Sequence, residues 1–191
     1  MQKKNLLLIL FSMIFIILVI QGICYAYQTV IINFPENKVW TVVYNKTQAN
    51  ERIIQFVPQG QSYLNWTETY IFHSYKHQLG TNVNSLVFLS SLTKSLERKN
   101  NTKPYIYVLK GRENAIATRC IASNKNIKSQ CDIYRVASAQ EAVISIQYIN
   151  KNTTDFKRNY EYYMDIIKRA NPYYSYFRQD RVMSKGTSFE L

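Results

Sequence analysis

The sequence predicts an α+β fold, an antiparallel sheet packed against helices with one disulfide-linked hairpin, and three observations carry that expectation. Four short β-rich runs, "YIYVLK", "AIATRCIA", "CDIYRV" and "AVISIQYI", follow one another between residues 105 and 149, as in an antiparallel meander. Two stretches with apolar residues at helical spacing flank them. Two cysteines, Cys120 and Cys131, face each other across a polar turn.

The chain opens with Met1-Gln2-Lys3-Lys4, an apolar run from Leu6 to Ile20, and the small Ala26. That order is an export signal, residues 1–26, cleaved before Tyr27. Counting Gly22 and Ile23 makes it nearly long enough for a membrane anchor instead. Both readings put the body outside the cytoplasm, periplasmic or extracellular. Of 191 residues, 47% are apolar and 19% charged, which suits one globular α+β domain over 27–170. The net charge of +12 includes Lys3 and Lys4, so cleavage leaves +10. Export turns that excess away from nucleic acid and toward an envelope protein or an anionic envelope surface.

"QTVIINF", "KVWTVVY" and "ERIIQFVP" read as strands, separated by Pro35-Glu36-Asn37 and by "NKTQAN", with Pro58-Gln59-Gly60 ending the third. In "NWTETYIFHSYKH", Asn65 and Glu68 have the spacing of a capping box and predict a helix start. On that helix Trp66, Tyr70, His73 and His77 share one face, a candidate binding surface. Glu68 falls on the far side, and Ser74 follows His73 where the H-E-x-x-H zinc motif needs glutamate, so no metal site is expected.

A second helix runs through "SLVFLSSLTKSLERK", with Leu86, Leu89, Leu92 and Leu96 on one side. In the meander, a turn centred on Lys125 and Asn126 sets Cys120 directly opposite Cys131, a register that permits a cross-strand disulfide. Their spacing lacks the C-x-x-C of redox sites. The closing helix spans about Asp155 to Ala170, with Thr153 or Thr154 as cap, Asn171-Pro172 as stop, and Phe156, Tyr160, Tyr163, Met164 and Ile167 on one arc. Residues 171–191 form an aromatic and basic tail in which Tyr173, Tyr174, Tyr176 and Phe177 lie beside Arg178 and Arg181, a second candidate surface. The residues after Met183 are expected to be disordered.

The stretch "FVPQGQSYLNWTE", Phe56 to Glu68, resembles one in small exported bacterial envelope proteins of unknown function, where a strand ends in a proline-glycine turn before an N-W-T-E helix start. The resemblance implies an envelope protein and carries over no catalytic residue. No G-x-S-x-G elbow, phosphate loop or dinucleotide fingerprint occurs. The expectation is an exported, non-enzymatic binding or assembly component without a cofactor. The alternatives are an envelope hydrolase with His73 or His77 as base, and a secreted host-directed factor.

Overall fold

The computed structural model describes residues 27–76, 83–100, 105–108, 114–122, 128–138, 142–175 and 187–190. The residues read as a signal or anchor lie outside these. The strands are β1 (Tyr27–Ile32), β2 (Trp40–Gln48), β3 (Glu51–Pro58), β4 (Glu68–Lys76), β5 (Tyr105–Val108), β6 (Asn114–Ile121), β7 (Gln130–Ser138), β8 (Ala142–Asn150), β9 (Asn171–Ser175) and β10 (Thr187–Glu190). The helices are α1 (Ser85–Asn100), α2 (Thr153–Arg158) and α3 (Tyr160–Arg169). Seven strands form one antiparallel sheet in the order β2-β3-β4-β8-β7-β6-β5, and three form a second, β10-β1-β9.

Alternation along the strands divides the large sheet into two packed faces. One carries Phe56, Tyr70, Phe72, Ile146, Tyr148 and Ile133 against Val30 and Ile32 of β1 and Phe156, Met164 and Ile167 of α2 and α3. The other carries Ala115, Ala117, Tyr134, Val136 and Val143 against Leu89 of α1. Phe156, Tyr163, Met164 and Ile167 are buried, as the closing-helix arc predicts. Asn84 caps α1, its Oδ1 accepting from the amides of Leu86 and Val87 at 2.9 and 3.2 Å.

The β6–β7 register pairs Arg119 with Asp132 and Cys120 with Cys131, and the cysteines are bonded with their Cα atoms 4.0 Å apart. Reducing this bond, which closes a separation of 11 residues, is expected to lower stability by about 2–3 kcal/mol by freeing the unfolded chain. Denaturant titrations with and without reductant would read it, and equal midpoints would contradict it.

Four expectations need correction. The segment from Glu68 to Lys76 is not a helix but β4, a strand inside the sheet. It is rich in aromatic and β-branched residues that fit a pleated surface, and because both its faces are largely covered its alternation is blurred. β2 continues through "NKTQ" to a tight turn at Ala49-Asn50, with Ala49 in the left-handed region at φ 48°. The closing helix breaks at Asn159, and its cap is Asn152, whose side chain accepts from the Asp155 amide at 3.0 Å, rather than either threonine. Finally, Thr187–Glu190, expected to be disordered, is a strand that flanks β1, as does Asn171–Ser175 at the start of the tail.

Candidate functional site

The strand at β4 disperses the predicted helical face. Tyr70 points into the aromatic core and is 0% exposed. His73, of opposite parity, lies on the other face of the sheet, and Trp66 precedes the strand in the β3–β4 loop. His77 lies outside the described residues, as do Tyr176, Phe177, Arg178 and Arg181. Tyr173 and Tyr174 pair with Thr29 and Gln28 through β9.

His73 has partners on both ring nitrogens. Nε2 donates to Glu51 Oε2 at 3.3 Å, and Nδ1 accepts from the Tyr75 hydroxyl at 2.6 Å, which fixes the tautomer. Burial lowers the His73 pKa, against the opposing pull of Glu51. Burial and the Glu51 charge push Tyr75 up to about 12, so its hydroxyl stays protonated. An unfolded histidine takes up protons below about pH 6.5, whereas His73 resists doing so. Stability is therefore expected to fall as pH falls through about 6.5 toward the lower folded pKa. Denaturation midpoints across that range should flatten in His73→Gln, and an unchanged slope would assign the loss elsewhere.

Sequence reading missed a buried polar chain at the end of β4. Glu68 is not a helix cap: its carboxylate pairs with Lys38 and accepts from the Tyr148 hydroxyl at 2.8 Å. Asn150 donates to Tyr148 at 3.1 Å and to Asp155 at 2.9 Å, and Asp155 also accepts from Tyr163 at 2.7 Å and Asn159 at 2.8 Å. Burial alone would raise Asp155, but the hydrogen bonds from Tyr163, Asn150 and Asn159 outweigh it and hold its pKa below the usual range. Glu68 lies 80 residues from Tyr148 and 30 from Lys38, so spacing offers no signal for joining them. Elsewhere a groove of about 520 Å³ lies between the β1–β2 connection and α3, floored by Phe34 and Ile166. Its arginine, Arg169, is tied to Asp165 at 2.9 Å.

Among the described residues, the most exposed apolar feature is at the same end of the sheet as this chain. Between Pro58 and Glu68, Ser62 and Asn65 exchange backbone hydrogen bonds at 3.0 and 3.2 Å and close a loop with Tyr63 and Leu64 at its tip. Gln61 braces the base, donating to Thr67 Oγ1 at 2.9 Å and accepting from the Thr67 amide at 2.8 Å. Leu64 is 86% exposed and Tyr63 49%, its ring stacked on Tyr44 with centroids 5.0 Å apart. Val39, 65% exposed, adjoins the loop through its carbonyl, which accepts from the Gln59 amide at 2.8 Å. Behind the tip, Lys151 Nζ lies 3.6 Å from the centre of the Trp66 ring and donates to the Trp66 carbonyl at 2.7 Å. Cross-strand pairs run from Glu68 through Asn150 to Cys131 and Cys120, so the disulfide staples the same end. The legible signal was "SYLN", two turn formers enclosing two bulky apolar residues where turns favour small polar ones.

No protein-family model matches the chain, and a comparison with curated proteins finds no relative. Among the described residues no helix is long and apolar enough to cross a membrane, and no group of three histidine, cysteine or acidic residues is placed to hold a metal ion.

Proposed function

We propose that the protein is an exported envelope component that acts by binding, with the β3–β4 end of the sheet as its contact surface. The exposed Tyr63–Leu64 tip carries this reading, because a braced loop holds large apolar side chains out in water beside Trp66. The disulfide supports export, since such bonds persist in oxidising compartments. The carboxylates of Glu68, Asp132 and Asp155 and the nitrogens of His73 all have internal partners. Internal pairing of this kind favours a scaffold that presents a surface over one that presents a reacting group.

The test has two parts on the protein in its own cells. Fractionation and mass spectrometry should find it outside the cytoplasm, beginning at Tyr27 or retained whole in the membrane, with Cys120 and Cys131 oxidised. A photo-crosslinker replacing Leu64 should give envelope adducts that one replacing Val87, 62% exposed on α1, does not. A reduced cytoplasmic protein, or equal adducts from both positions, would overturn the reading.

A further inference from the structure

We infer that this end of the sheet docks on an anionic lipid bilayer, with Leu64 entering the boundary between headgroups and acyl chains, Tyr63 at headgroup level, and Lys128 and Lys151 facing the phosphates. The inference rests on the binding role proposed above and names its partner. Single exposed leucines are ordinary on protein surfaces. Here Leu64, Tyr63 and Val39 are exposed together, next to a tryptophan that carries a lysine ammonium on its ring.

Shape favours a fluid surface over a protein pocket. The tip is a short convex turn closed by the Ser62–Asn65 backbone pair. A leucine at the apex, with a tyrosine stacked back on Tyr44 and tryptophan and lysine one step behind, repeats the layering of a membrane interface: apolar groups deepest, amphipathic rings at headgroup level, ammonium groups at the phosphates.

Charge points the same way. Three carboxylates at this end are taken up internally, Glu68 by Lys38 and Tyr148, Asp132 by Arg119, and Asp155 by Asn150, Asn159 and Tyr163, while Glu36 on the β1–β2 connection is exposed. Lys151 is held by a ring and a backbone carbonyl and not by a carboxylate, and exposed Lys128 stands two residues before β7, at the end where Cys131 pairs with Asn150. Two lysines at one end of the sheet are placed to meet an anionic surface, and each basic residue near such a surface adds to the attraction. The net charge, +12 for the whole chain and +10 once residues 1–26 are cleaved, draws the protein toward the same surface.

The experiment uses the exported protein as purified from its cells, with vesicles rich in phosphatidylglycerol, some containing brominated acyl chains. Quenching of Trp66 fluorescence is the local readout, because it reports this loop whatever the N-terminal segment does. Expected are quenching by brominated anionic vesicles that is absent in Trp66→Phe, loss with zwitterionic vesicles or high salt, and affinity roughly 10-fold weaker in Leu64→Glu and in Lys128→Glu with Lys151→Glu. Val87→Glu should bind as wild type, and Leu64→Glu should melt as wild type because its side chain makes little packing contact. Quenching that Leu64→Glu leaves unchanged, or that zwitterionic vesicles match, would overturn the inference. Protein adducts from position 64 together with no vesicle quenching would defeat the lipid partner and keep the binding role, whereas a cytoplasmic location would defeat both.

Discussion

Asp132→Ala is expected to destabilise the protein by about 3–5 kcal/mol, because it leaves a buried guanidinium without its counter-charge. Arg119 and Asp132 are directly opposed on β6 and β7, with side chains 3% and 0% exposed. Arg119 Nε donates to Oδ1 and Oδ2 at 2.9 and 3.0 Å, and Nη2 donates to Oδ2 at 2.9 Å and to the Tyr134 hydroxyl at 3.0 Å. Tyr134 in turn donates to Oδ2 at 3.2 Å. Burial disfavours the Arg119 charge, but the hydrogen bonds and charge of Asp132 outweigh it and raise the Arg119 pKa. Burial also raises Asp132 against the pull of those same bonds. The two-pronged geometry, with donors from Arg119 on both carboxylate oxygens, is that of an ionised pair.

The alanine variant should therefore melt roughly 10 °C or more below wild type. Arg119 Nη1 already lacks a partner among the described residues, so the guanidinium has little to fall back on. Replacing the whole cluster, as Arg119→Met, Asp132→Leu and Tyr134→Phe together, should recover most of the loss, since apolar side chains need no counter-charge. If Asp132→Ala lost less than about 1 kcal/mol, the cluster would be reached by water and not buried. If the triple variant were no better than the single one, packing at these positions and not the orphaned charge would carry the loss.

That cluster also shows what the sequence could and could not reveal. The hairpin register was legible because a polar turn between two β-rich runs and a pair of cysteines constrain each other, and the same register sets Arg119 opposite Asp132. Helix α1 was legible because only one of its sides is covered, which keeps the leucine spacing clean. β4 was not, because a strand covered on both faces lacks a strict alternation and "NWTE" satisfies a helix-start pattern locally. The neighbours that decide the matter, β3 and β8, pair along most of its length, and β8 comes from a segment some 80 residues later in the case of Tyr148 and Glu68. Tertiary pairing overrode the local signal. Of the predicted contact residues that lie among the described residues, Trp66 alone stands at the exposed apolar end, and Leu64 and Tyr63 beside it carry no functional motif that singles them out.

Tyr70 separates the two readings of β4 most sharply. As a residue of an exposed helical face, its loss would leave stability almost unchanged. As the strand residue observed, it is wholly buried, with its ring 4.8 Å from Trp40 and Tyr148 and 5.2 Å from Phe34, centroid to centroid. Tyr70→Ala is accordingly expected to lose about 3–5 kcal/mol, the range for emptying a large aromatic site in a packed core. Tyr70→Phe should behave in the opposite way. Burial, reinforced by the Glu68 charge, raises the Tyr70 pKa well above its ordinary value, so the hydroxyl remains neutral, yet it has no hydrogen-bond partner among the described residues. Removing it while keeping the ring deletes an unsatisfied polar group and retains the aromatic contacts. The phenylalanine variant should therefore equal wild type or exceed it by about 1 kcal/mol. Denaturant midpoints for the two variants give the answer without any knowledge of the partner. A mild Tyr70→Ala would return this residue to the surface, and a damaging Tyr70→Phe would mean that the hydroxyl is bound by a group that the ring contacts alone do not reveal.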